Sequence, residues 1–127
     1  MTPPPRPTPA ELEILRLLWE HGPSTVREVQ ERMEQHRPTG YTTVLKLLQI
    51  MTEKNLVRRD ETARAHVYTP RAPEDQTQRQ LVRDLLDRAF GGSATKLVMH
   101  ALSARKTSRE ELARIREMLD RLEGGGE

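Results

Sequence analysis

The chain has 127 residues and no cysteine, which fits one compact domain, or a small domain with an appendage, and excludes a multidomain machine, a disulfide framework and thiolate chemistry. Hydrophobic residues make up 35%, aromatics 3% and charged residues 31%, so a core must come from few well-placed apolar positions and invites completion by a partner chain. The formal net charge is only +2, but from His36 to Arg71 seven basic residues (Arg37, Lys46, Lys54, Arg58, Arg59, Arg64, Arg71) stand against three acidic ones (Glu53, Asp60, Glu61), which places any polyanion contact in the middle third.

Residues 1–7 hold four prolines and read as a flexible arm. No apolar run follows its one basic residue, and no segment approaches the roughly 20 apolar residues of a membrane span, so a cytoplasmic protein is expected. Thr8, Pro9 and Glu11 form a helix start: an N-cap, a proline at the first helical position and a capping-box glutamate. Ile14, Leu15, Leu18 and Trp19 then make one apolar stripe, with Trp19 read as core, and His21-Gly22-Pro23 ends the helix. Thr25 and Glu28 repeat the capping box for a second short helix carrying Val26, Val29 and Met33 to about Gln35. After the break at Arg37-Pro38-Thr39-Gly40, a third helix from Tyr41 to about Lys54 places Val44, Leu47, Leu48 and Met51 on one face.

From Leu56 the runs LVRRDE and AHVYTP predict a hairpin around Thr62-Ala63-Arg64. Helix, helix, helix, hairpin is the order of a winged helix. A linker at Pro70–Asp75 precedes helical stretches at Gln78–Phe90 and Thr95–Ala104, and a last helix capped by Thr107 with Glu110 ends at the glycines 124–126. The last helix spaces Leu112, Ile115, Leu119 and Leu122 by threes and fours, a seam for another helix. With Leu85 and Leu97 these residues are the expected dimerisation positions. The expected fold is mainly α: an α+β winged helix-turn-helix with a small β-hairpin wing over residues 8–72, then a C-terminal helical dimerisation domain over 73–124.

Each helical step turns the side chain by roughly 100°, which sets Thr42, Lys46, Gln49 and Glu53 opposite the apolar stripe of the third helix. Hydroxyl and amide groups can meet base edges, and the lysine can meet phosphate or guanine. Glu53 would repel phosphate, so contact concentrates in the first two turns, where Tyr41 can reach a phosphate and Thr43 flanks the face. Arg64 at the hairpin tip suits a minor groove or the backbone, and only one of Arg58 and Arg59, alternating along a strand, can share that side. His21, His36, His66 and His100 are scattered without metal-ligand spacing, and there is no phosphate loop or nucleophile motif. Neither an enzyme nor a cofactor nor a metal is expected.

The stretches ELEILRLLWEHGPSTVREV, GYTTVLKLLQIMTEKNLVRR and RAHVYTP, in this order and spacing, resemble the penicillinase-repressor family of bacterial winged-helix regulators, the BlaI/MecI/CopY type. The resemblance implies a homodimeric repressor that blocks promoter access on a palindromic double-stranded DNA operator with TACA and TGTA half-sites. It places the reading residues on Tyr41, Thr42, Thr43 and Lys46, the wing contact on Arg64, and the dimer in the C-terminal helices. It also implies release by a sensor protease that cuts the fifth helix, here at His100-Ala101, where the family has an aromatic residue on the second side and this chain has Ala101. Copper-responsive members carry a C-terminal cysteine motif that is absent here. The alternatives are a winged helix that binds protein rather than DNA, and a small-molecule-responsive regulator of the MarR-like sort, which requires a pocket that the sequence does not display.

Overall fold

The computed structural model describes Arg6–Gly124; most of the expected N-terminal arm, together with Gly125 and Gly126, lies outside the described residues. Helix α1 (Pro9–His21) opens as the local chemistry dictates. The Glu11 amide donates to Thr8 Oγ1 at 3.2 Å while the Thr8 amide donates to Glu11 Oε1 at 2.8 Å, satisfying two otherwise orphaned donors. It ends at Gly22, whose φ of 89° is costly for a residue with a Cβ. Helix α2 (Val26–Glu34) repeats the device, with Thr25 and Glu28 exchanging bonds of 2.9 and 3.2 Å. Helix α3 (Tyr41–Glu53) closes on Asn55, which adopts a left-handed φ of 63°. The Asn55 amide donates to the Thr52 carbonyl at 3.1 Å and the Leu56 amide to that of Met51 at 2.9 Å, the paired bonds by which a left-handed residue turns a chain out of a helix.

The three helices share one core. Ile14, Leu15 and Leu18 from α1, Val29 and Met33 from α2, and Val44, Leu48 and Met51 from α3 are buried together, each contributing about 1.5–3 kcal/mol by leaving water. Two strands, β2 (Val57–Asp60) and β3 (Val67–Pro70), cover this core from the wing side through Val57 and Tyr68. They pair antiparallel with Arg58 opposite Thr69 and Arg59 opposite Tyr68. The connection spans residues 61–66, longer than the three-residue turn that the sequence suggested.

A third strand was not foreseen. Ser24–Thr25, numbered β1 by chain order, lies between α1 and α2 and pairs with β3, Ser24 opposite Tyr68 and Thr25 opposite Val67. The sheet order is therefore β1-β3-β2. The architecture is an α+β winged helix-turn-helix with a β-hairpin wing, followed by a helical C-terminal region.

The C-terminal helices are α4 (Glu74–Arg88), α5 (Ala94–Ala104) and α6 (Arg109–Gly124). The expected linker is shortened because α4 starts four residues before Gln78: its polar first turn, Glu74 to Thr77, follows Pro73 without any apolar periodicity to announce it. The cap of α6 is Ser108, not Thr107, and its Oγ accepts from the Glu111 amide at 3.1 Å. Two compact units divide the chain between Leu81 and Val82. None of the described helices is long and apolar enough to cross a membrane.

Candidate nucleic-acid interface

Helix α3 has two faces of opposite character. Val44, Leu48 and Met51 are fully buried, whereas Tyr41, Thr42, Thr43, Lys46 and Gln49 are exposed on the outer side of the first turns. The burial of the first set fixes the rotation of the helix, so the second set is held outward by packing rather than by chance. The Gly40 that precedes α3 offers no side-chain cap, and the first turn holds no acidic residue. Its leading amides and the positive end of the helix dipole are therefore open to an anion.

The segment leading into α3 is hydrogen-bonded to α2. The Thr39 amide donates to Glu34 Oε2 at 3.0 Å, and Gln30 Nε2 donates to the Thr39 carbonyl at 2.9 Å. These bonds tie the turn to α2, so the first and second helices of the helix-turn-helix present a single surface.

Beside the start of α3 lies a concavity of about 370 Å³ lined by Arg27, Tyr41, Leu45, Arg64 and His66 among others. It brings the wing residue Arg64 and the helix residue Tyr41 to one place; Tyr41 is 49% exposed. Arg27, at the second position of α2, is a member that sequence reasoning missed: it stands outside the third helix and the wing, and only the packing of α2 against them brings it there. The wing loop is braced at its start by the Thr62 amide and hydroxyl, which both donate to Asp60 Oδ1, at 2.9 and 2.8 Å. These bonds hold the Asp60 carboxyl below its ordinary value.

The positive charge of the middle third is only partly available. Arg37 pairs with Glu13 at 2.6 Å, Lys54 with Glu11 at 2.7 Å and Arg59 with Glu61 at 2.8 Å. Among the described residues Lys46, Arg58, Arg64 and Arg71 form no salt bridge. Charges left without an internal partner are the ones that can exchange counterions with a polyanion. Of the two strand arginines, Arg59 is engaged with Glu61 and Arg58 is exposed.

Of the expected dimerisation residues, Ile115, Leu119 and Leu122 line one apolar groove with Val98, Leu102 and Met118. Leu85, Leu97 and Leu112 lie outside that groove; Leu85 is exposed on α4, and Leu97 and Leu112 are half-buried. No residue of α4, α5 or α6 is buried. His100 and Ala101 are exposed in the middle of α5, and the His100 ring lies 5.7 Å from that of Phe90. Among the described residues no group of three or more His, Asp or Glu is placed to hold a metal ion.

Comparison with known proteins covers almost the whole chain. The sequence profile of the family described as penicillinase repressor matches residues 7–121. A transcriptional regulator BlaI of Mycobacterium tuberculosis is 33% identical over 117 residues, which are 91% of this chain and 83% of the relative. Among solved structures, the DNA-binding domain of the repressor BlaI aligns with a TM-score of 0.51 and 26% identity, over 58% of this chain and 90% of that domain. The YusO protein of Bacillus subtilis shares the fold over 91% of this chain and 74% of its own, with a TM-score of 0.50 and 24% identity.

Proposed function

This chain belongs to the penicillinase repressor family of winged-helix regulators, and on that premise we propose that it represses transcription as a homodimer on a palindromic DNA operator. It is a DNA-binding transcriptional repressor of the BlaI type and not an enzyme. In the proposed docking, α3 enters a major groove with Thr42, Thr43 and Lys46 toward base edges and phosphates, while Tyr41 and Arg64 reach the backbone beside it. The observation that carries this reading is the two-faced α3: its apolar side is locked in the core and its uncapped, acid-free first turn faces out beside the wing.

Pairing of two subunits is supported by the second unit, which exposes Leu119 at 52% and Leu122 at 64% around a groove walled by α5 and α6. An apolar seam of this kind is stable in water when a like surface covers it. A twofold dimer matches a palindrome, with half-sites set one or more helical turns apart. Release by a sensor protease would cut α5 at His100-Ala101; because that bond lies within a helix, α5 must first open locally.

The test is titration of the wild type, Lys46→Ala and Arg64→Ala against duplexes with TACA and TGTA half-sites at several salt concentrations. Each variant is expected to lose about 1–3 kcal/mol of affinity, and each lost phosphate contact to flatten the salt slope by roughly 0.9. Unchanged affinity in both variants would remove the proposed docking.

A further inference from the structure

A second crevice of the first unit, of about 90 Å³, is lined by Arg6, Leu15, Trp19, Leu56, Arg71 and Leu81 among others. It shares no lining residue with the concavity at the start of α3. Its walls are mostly apolar, and among the described residues that line it the charged groups are the two arginines and none is a carboxylate. The Trp19 ring is fixed as a wall because its Nε1 donates to the Ala72 carbonyl at 3.0 Å. Arg71 is fixed at its backbone, where its amide donates to the Leu56 carbonyl at 3.0 Å, while its side chain is exposed and forms no salt bridge among the described residues.

We propose that this crevice binds a small aromatic monocarboxylate, its ring against Trp19, Leu15 and Leu56 and its carboxylate on the Arg71 guanidinium. Size and charge both select that class. Drug-sized ligands occupy pockets of roughly 300–1,000 Å³, so the space here suits a single ring. A guanidinium lining an apolar slot, with no acid among the described lining residues, selects an anionic head over a neutral or cationic one. A repressor with such a site can register a metabolite as well as an operator.

The chain has one tryptophan, and it lines the crevice, so intrinsic fluorescence reports occupancy directly and without DNA. Benzoate, benzamide and benzylammonium, which share a ring and differ in charge, are titrated into the full chain. Saturable change in Trp19 emission with benzoate is expected, with affinity weaker by roughly tenfold or more for benzamide and for benzoate on Arg71→Ala. Circular dichroism verifies that the Arg71→Ala chain is folded; if it is not, the ligand series on the wild type decides alone. Linear, unsaturating quenching that is alike for the three compounds overturns the proposal, as does saturable benzoate binding that a folded Arg71→Ala chain retains unchanged. Neither outcome bears on the operator titration above, so the two readings fail separately.

Discussion

Glu11 sits inside the first unit with only 2% of its surface exposed, beside Lys54, the residue that caps the end of α3, 43 positions on. Burial pushes its carboxyl up, but hydrogen bonds from Lys54 and from the Thr8 amide, with the lysine charge, more than offset it and leave the group below its ordinary value near 4.5. Glu13, held by Arg37, and Glu28, held by the Thr25 amide, are lowered as well. A depressed folded-state value means stability that is fully present above the unfolded carboxylate range and lost as pH falls through the folded one. Urea midpoints should therefore drop on acidification across that range. Lys54→Met should cost about 1–3 kcal/mol near neutral pH by stranding the buried carboxylate, and the gap to the wild type should close in acid, where Glu11 takes up a proton. A gap that stays constant with pH would mean that the pair is not what the substitution removes.

Arg27 makes a different prediction at the same scale. Under the proposed docking it meets phosphate rather than bases, so Arg27→Ala should weaken operator and scrambled duplexes equally and flatten the salt slope, whereas Thr42→Ala should weaken the operator selectively. Filter binding at matched salt distinguishes them. Neither Arg27 nor the Glu11–Lys54 pair was legible in the sequence, because both depend on which elements pack together; the outward face of α3 was legible, because it is the complement of a periodic apolar stripe.

Elements that depend on near neighbours could be read, and those that depend on distant ones could not. The two Thr-x-x-Glu boxes of α1 and α2 close within three residues, so spacing alone locates them. In α6 spacing pointed to Thr107 with Glu110, but the folded helix is capped one residue later, where Ser108 Oγ accepts from the Glu111 amide. Strand β1 has two residues and no periodicity; its extended conformation comes from β3, which is more than forty positions away. Thr25 serves both systems, as the α2 cap and as a rung of the sheet. Thr25→Ala should cost about 1 kcal/mol and lower the melting temperature by roughly 4–8 °C, measurable by circular dichroism; a smaller change would mean that the helix start is held by the ladder alone.

For the whole molecule, the decisive contrast is between a first unit with a closed core and C-terminal helices with none. Under the proposed pairing, charged groups in the apolar seam should keep the subunits apart: Leu119→Glu with Leu122→Glu is expected to halve the mass seen by light scattering and to make operator binding weak and steeply dependent on protein concentration. A variant that remains dimeric would place the pairing surface elsewhere. The exposed residues of this seam are legible as a helix repeat, but which of them share a groove is not, since Leu85, Leu97 and Leu112 have the same periodic signature as Ile115, Leu119 and Leu122.

The short ladder from β1 to β3 has mechanical consequences. It clamps the root of the wing to the strand that leads directly into α2, so the hairpin is a cantilever anchored at both Val67 and Tyr68, with residues 61–66 beyond the ladder. Under the proposed docking, the distance from reading helix to wing root is a constant of the protein, and differences in groove width among operators are absorbed at the tip alone. Amide hydrogens at Val67 and Tyr68 should then exchange as slowly as those of the helical core, and those of the tip on a far faster clock.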